Sequence, residues 1–182
     1  MALYLKCIPS LYAKTIFDID YEDLLKQGIK ALFFDLDNTI IGYDVSQIDS
    51  KSLELLTELN KQFKVLIISN SNKKRVAKAT KNVPFPVIWR GVKPLKFGFK
   101  KALKTVKVDA KNACVIGDQM MTDILGGNRL GLKTLLVNPV TPKSDIWMTK
   151  INRLVEKRIL KKIAKKQPKA YAERLAPYVN RS

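Results

Sequence analysis

An apolar run over residues 29–34 leads straight into Asp35-Leu36-Asp37-Asn38-Thr39. Such a run reads as a buried strand. In a strand and its immediate extension, positions two apart face the same side, so both carboxylates converge on one point. Charges placed that way repel strongly unless a cation lies between or beside them. The arrangement suits holding a hard divalent metal and presenting a carboxylate as a nucleophile. The competing explanation is an Asx-type turn closing the strand, because Asp, Asn and Thr all favour turns. The rest of the chain decides between the two.

With 182 residues the chain has the length of one domain and enough material for a sizeable core. At 46% hydrophobic it has the composition of a folded protein, and no apolar stretch reaches the roughly 20 residues of a membrane span. The first residues lack the basic and continuous apolar regions of a signal peptide. Two cysteines, Cys7 and Cys114, make no disulfide framework, and Cys114 within Ala113-Cys114-Val115-Ile116 reads as a small buried hydrophobe. A reducing cytoplasm is the expected location. The chain has no histidine, which excludes Ser-His-Asp and Cys-His nucleophile systems and the usual histidine-bearing zinc sites. Acid–base chemistry must then come from carboxylates, lysine or tyrosine.

The net charge is +18, and residues 150–182 contribute +9 of it, eleven basic residues against Glu156 and Glu173. That asymmetry points to a polyanionic partner surface, against the simpler alternative of a solvated face.

Periodicity predicts alternating strands and helices. Strands are expected over 29–34, 64–68, 87–89, 113–116 and 132–137. Helices are expected over 50–62, 73–81, 95–105 and from about 119 to 128, with Ser69-Asn70-Ser71-Asn72 supplying the cap of the second. Such alternation implies an α/β fold with a parallel sheet and helices on both faces. Ligands of such sheets sit beyond the carboxyl ends of the strands. Asp35, Asp37, Thr39, Ser69, Asn70, Asp118 and Asp123 all fall at those ends, and Lys93 lies just past the third.

This ordered set resembles the haloacid dehalogenase (HAD) superfamily of phosphatases. The DxDxT motif is matched by Asp35, Asp37 and Thr39, and the strand-ending Ser or Thr by Ser69. The basic residue is matched by Lys93, and the acidic pair by Asp118 and Asp123 after Gly117. The wording from Gly117 to Arg129 is similar, more narrowly, to the YqeG family of subclass IIIA, which is related to mitochondrial phosphatidylglycerophosphatases. The resemblance implies a Rossmann-like three-layer α/β/α core with a mainly parallel sheet. It also implies a role for each residue. Asp35 would attack phosphorus and Asp37 would serve as acid and then base. Mg2+ would be held by an Asp35 oxygen, the Asp37 backbone carbonyl and Asp118, with Asp123 in support. Ser69, Thr39, Asn70 and Lys93 would hold the phosphoryl oxygens. Each has a plainer alternative: Ser69 as a helix cap, Lys93 and Asp123 as solvated surface residues, Gly126-Gly127 as a helix end.

Between Thr39 and Ser69 lie 29 residues, and between Ser69 and Lys93 lie 23, each already needed for one helix and one strand. Neither gap holds an independent domain of even about 50 residues. In the superfamily, cap domains are inserted at these two points, so a capless core over 1–145 is expected, with a short flap at 41–47. An open site suits a phosphorylated substrate on something large, such as a lipid head group. Residues 146–182 are expected to form a basic amphipathic helix and tail. Trp147, Ile151, Leu154, Val155, Ile159 and Ile163 make its apolar stripe, suited to an anionic membrane at its inner face or to packing on the core. The leading expectation is a Mg-dependent phosphatase acting on a phosphomonoester such as phosphatidylglycerophosphate. The alternatives are a capless phosphatase of nucleic-acid ends, nucleotides or phosphoprotein, and a non-catalytic nucleic-acid- or ribosome-binding protein on the same core.

Overall fold

Apart from Lys64, the inner runs Ala31–Phe34, Lys64–Ile68 and Ala113–Gly117 are apolar and buried on both faces, and partly exposed strands flank them. The computed structural model describes residues 2–141 and 147–180, the side chains of 147–153 excepted. The strands are β1 (Leu11–Tyr12), β2 (Ala31–Phe34), β3 (Lys64–Ile68), β4 (Val87–Ile88), β5 (Ala113–Gly117) and β6 (Lys133–Leu136). They form one sheet in the order β1-β6-β5-β2-β3-β4, with every neighbouring pair parallel. The central strand β2 is buried at all four positions, and its Phe34 registers with Ile67 and Ile116. The chain therefore leaves β2, β3 and β5 at one common edge. That edge is where the acidic and hydroxyl residues follow.

The helices are α1 (Tyr21–Lys26), α2 (Ser50–Gln62), α3 (Lys73–Ala79), α4 (Lys96–Val106), α5 (Leu125–Asn128), α6 (Trp147–Lys166), α7 (Pro168–Arg174) and α8 (Ala176–Val179). Strand side chains alternate between two cores, as a period of two requires. Leu32, Phe34, Val65, Ile67, Cys114 and Ile116 pack with Leu56 and Leu59 of α2 and Val76 of α3. Ala31, Phe33, Leu66, Ile68 and Val115 face the other way, onto Phe99 and Ala102 of α4. The expected α/β/α layering is thus present. Between Thr39 and Ser69 the chain forms only α2 and β3, and between Ser69 and Lys93 only α3 and β4.

Several boundaries differ from expectation. Strand β2 starts at Ala31 because Gly28, at φ +79°, turns the chain just before it. Helix α3 stops at Ala79, with Thr80 as its C-cap. The helix expected after β5 is instead a π-helical turn, Met120–Ile124, running into the one-turn α5. Gly126 and Gly127 belong to α5 as packing residues: a Cβ on Gly126 would lie 2.4 Å from the Phe99 ring, and one on Gly127 2.5 Å from Val115. The edge strand β1 carries no periodic signal, being two residues long.

The carboxyl-terminal helices make a third core. Ile159 and Ile163 of α6, Leu175 and Tyr178 are buried against Cys7, Met120, Ile124, Leu125 and Leu136. Of the expected stripe, Val155 is half-buried and packs with this group while Leu154 is exposed; Trp147 and Ile151, and the boundary at 145/146, fall outside the described side chains and residues. Among the described residues no helix is long and apolar enough to cross a membrane. Both thiols are buried, which pushes Cys7 up to about 11 and Cys114 up to about 12.

One polar contact secures this third core to the sheet. The buried Tyr178 hydroxyl lies 3.0 Å from the Asp118 carbonyl oxygen and 2.9 Å from Oε1 of the buried Glu156. Tyr178→Phe should lower unfolding stability by about 1–3 kcal/mol, because buried acceptors lose their donor. Urea denaturation measures this, and an unchanged midpoint would show that the contact carries no stability.

Candidate active site

The loop after β2 is short and tightly wound. Asp35 extends the sheet ladder by one residue, its N–H donating to the Ile116 carbonyl at 2.9 Å. Leu36, Ile40 and Ile41 then turn back into the core, with the Ile40 and Ile41 N–H groups both bonded to the Leu36 carbonyl (3.0 and 3.1 Å). Asn38 takes the left-handed conformation this reversal needs, at φ +64°, which Asn tolerates better than most residues. The alternation leaves Asp35 and Asp37 beyond the sheet edge, away from Leu36.

Lys93 reaches this edge from the loop after β4. Its buried Nζ lies 2.6 Å from Asp35 Oδ1 and 2.6 Å from Asp123 Oδ1. The backbone that delivers it is unusual. Arg90 and Val92 both have positive φ (48° and 51°), a strained conformation for residues other than glycine. Surrounding contacts impose it. The Asn70 side chain clasps the Lys93 backbone in both directions, Nδ2 donating to the carbonyl at 3.0 Å and Oδ1 accepting from the N–H at 2.7 Å. From below, Gly98 of α4 approaches so closely that a Cβ there would sit 2.1 Å from the Gly91 carbonyl oxygen.

Asp123 comes from the π-helical turn after β5. It is fully buried, its Oδ2 accepting from the Gln119 N–H at 3.3 Å and the Thr122 hydroxyl at 3.2 Å. It rests on the end of the strand at Gly117, where a Cβ would fall 2.3 Å from the Asp123 carboxyl carbon. Glycine at 117 is therefore a condition for the acid's position.

Asp37 has its own set of partners. Its Oδ2 accepts from Ser69 Oγ at 3.1 Å and Ser71 Oγ at 2.8 Å, and its Oδ1 from Arg75 Nε at 3.1 Å. Arg75 also donates to the Gly42 carbonyl at 3.1 Å and to the Val45 carbonyl, so it ties Asp37 to the 42–45 segment. The cap of α3 is Asn72, whose side chain accepts from the Arg75 N–H at 2.9 Å. Ser69 is thus not the cap. The Thr39 hydroxyl is buried without a hydrogen-bond partner among the described residues, and Thr39 borders a cleft of about 340 Å³ lined also by Lys14, Phe17, Lys51 and Val140.

All eight expected site residues therefore gather at one sheet edge, with differences in detail. The two carboxylates of the first loop are served by separate cations, Lys93 for Asp35 and Arg75 for Asp37. The Asn70 side chain engages the Lys93 backbone. Ser71, Arg75, Gln119 and Thr122 were not singled out from sequence. Ser71 had a usable signal, standing two residues from Ser69, whereas Arg75 looked like any other member of a lysine-rich helix.

One carboxylate oxygen each from Asp35, Asp118 and Asp123 lies within 4.8 Å of the others, so these three residues could hold a metal ion. Burial pushes Asp35 well above the usual carboxylate range; Lys93 opposes that, and the charges of Asp123 and Asp118 add to it. Burial by itself would lower Lys93, but Asp123 and Asp35 outweigh it and raise the ammonium above its ordinary value. Three acids beside one lysine at this buried edge make a donor set able to hold a cation.

The chain is similar to several known proteins. A family model described as HAD-hydrolase-like matches residues 91–145. Over 160 residues the chain is 37% identical to "Probable phosphatase YqeG" of Bacillus subtilis, a match covering 87% of this chain and 92% of that protein. It is 26% identical over 159 residues to chloroplastic phosphatidylglycerophosphate phosphatase 1 of Chlamydomonas reinhardtii, covering 82% of this chain and 59% of that protein. The fold matches that of the HAD-hydrolase YfnB of Bacillus subtilis bound to magnesium, at TM-score 0.52 and 15% identity over 70% of this chain and 98% of that one. A magnesium complex of a HAD family enzyme from Bacteroides thetaiotaomicron matches at 0.51 and 16%, over 68% and 98%. Because it is 37% identical to the Bacillus subtilis protein over most of both chains, the chain belongs to the YqeG family of HAD phosphatases.

Proposed function

We propose that the chain is a magnesium-dependent phosphomonoesterase that works through an aspartyl-phosphate on Asp35, with a phosphate ester on a lipid head group as its substrate class. The observation that carries the reading is the buried Asp35 carboxylate, 2.6 Å from the Lys93 ammonium and grouped with Asp118 and Asp123. An all-oxygen, anionic donor set of this kind fits the preference of Mg2+ for hard ligands. Asp35, Asp118 and the Asp37 backbone carbonyl would hold the ion, with Asp123 beside them. When bound, magnesium supplies positive charge to the phosphoryl oxygens.

In the first step an Asp35 oxygen bonds to phosphorus, the bond from phosphorus to the leaving oxygen breaks, and Asp37 gives that oxygen its proton. In the second, a water oxygen bonds to phosphorus while Asp37 takes the water's proton, and Asp35 departs as a carboxylate with inorganic phosphate released. Lys93 favours the ionised nucleophile at the start and the same charge at the end. The Ser69 and Ser71 hydroxyls on Oδ2 and Arg75 on Oδ1 orient Asp37 as the carboxylate that the second step requires; to carry the proton of the first step, Asp37 exchanges one of these accepting contacts for its own O–H. Asn70 acts as a positioning residue for Lys93. The 41–47 segment, pinned by Arg75, forms the short flap of an open site. The lipid head group is supported by that openness, by the net charge of +18 and by similarity to a phosphatidylglycerophosphate phosphatase.

Asp35→Asn should reduce hydrolysis of p-nitrophenyl phosphate to background in protein that still folds, with a lowered melting temperature because Lys93 loses one of its two buried carboxylate partners. Residual Mg-dependent turnover in that variant would remove Asp35 as the nucleophile. Asp37→Asn should lower kcat by about 10²–10⁴. Gly117→Ala forces Asp123 to move, since a Cβ there would meet its carboxyl group at 2.3 Å. Its affinity for Mg2+, measured by titration calorimetry, should fall, and equal binding would separate Asp123 from the metal centre. A phosphate-release comparison of phosphatidylglycerophosphate with nucleotides and sugar phosphates tests the substrate class; preference for either soluble group would overturn it.

A further inference from the structure

The loop that sends Lys93 inward sends the opposite kind of residue outward. Trp89, Val92, Leu95 and Phe97 are 42%, 49%, 55% and 68% exposed, and they are four of the ten exposed large hydrophobics among the described residues. The other six are spread over the rest of the chain. Apolar side chains gathered within nine residues call for explanation in a way that scattered ones do not. They are interleaved with exposed Arg90 and Lys96. The surrounding charge is one-sided: residues 59–108 contain fourteen Lys and Arg and no Asp or Glu.

The backbone of this loop is held at several points. The Asn70 clasp on the Lys93 backbone and the contact between Gly98 and the Gly91 carbonyl hold its two halves down. A turn closes between them, the Leu95 N–H donating to the Val92 carbonyl at 2.8 Å. The loop also lies at the sheet edge that carries Asp35, and α3 and α4 begin at that same edge. Their first residues include exposed Lys73, Lys74, Lys96 and Lys100.

We propose that residues 89–97 form a docking surface that seats the open active site on an anionic lipid bilayer. Tryptophan and phenylalanine suit the interface between head groups and acyl chains, while leucine and valine enter the apolar side of it. The flanking lysines and arginines meet anionic head groups. A nucleic acid would use the cations, but Val92 and Leu95 have no flat face on which a base stacks. The basic carboxyl-terminal helix is a poorer candidate, since Ile159 and Ile163 are already buried in the third core. The proposal shares with the lipid-substrate reading only its purpose, because docking and turnover are measured separately.

The test uses the full chain and sedimentation with vesicles of phosphatidylglycerol and phosphatidylcholine, against phosphatidylcholine alone. Wild type should bind the anionic vesicles, and the Leu95→Ser/Phe97→Ser double variant should lose at least about tenfold in partitioning. Hydrolysis of p-nitrophenyl phosphate by that variant should stay within about twofold, as for exposed substitutions generally. In a Trp147→Phe background, Trp89 emission should move to the blue on adding anionic vesicles. Asp35→Asn should bind them as wild type does, so loss of chemistry is distinguishable from loss of docking. Absence of wild-type binding, equal binding by the double variant, or an unmoved Trp89 emission would each overturn the proposal. So would duplex RNA binding that the double variant loses while keeping its hold on vesicles.

Discussion

The Lys93 ammonium, buried between the carboxylates of Asp35 and Asp123, is the interaction on which the rest of the structure depends. Three acids at one sheet edge repel one another, and burial makes that repulsion harder to screen. Removing one partner from a buried ion pair costs about 3–5 kcal/mol, because the other charge is left uncompensated. The fold therefore invests in placing this lysine. Two residues near it accept left-handed backbone, Asn70 commits its side chain to the lysine's backbone, and Gly98 gives up a side chain so that Gly91 can lie against it.

A second cation performs a parallel task on the neighbouring acid. Arg75 holds Asp37 and, through the Gly42 and Val45 carbonyls, the segment that stands over it. Asp35 and Asp37, two residues apart in the chain, thereby receive different electrostatic surroundings. The same Lys93 loop that carries the lysine inward leaves Trp89, Leu95 and Phe97 exposed beside it.

Much of the centre was legible without coordinates. Asp35, Asp37, Ser69, Asp118 and Asp123 each follow an apolar run, and in a parallel α/β fold those runs end on one side. The remaining contacts are long-range. Arg75 and Ser71 matter through where α3 points, Tyr178 through a contact with Asp118 that spans 60 positions, and Gly98 through an approach to Gly91 that no local pattern encodes. Strand β1 is formed by pairing with β6, which a two-residue run does not announce.

By itself, the sequence determined five of the six strand runs, the absence of inserted domains between Thr39 and Lys93 and the list of residues able to do chemistry, because alternation, spacing and side-chain type are properties of the chain. It also determined the charge. Only the tertiary structure decided which acid is matched with which cation, because that depends on loop paths and on backbone approaches of a few ångströms. It decided, too, that the apolar stripe of the last long helix is turned partly inward while a short loop beside the active site stays uncovered. Burial is a property of neighbours, and neighbours are chosen by the fold.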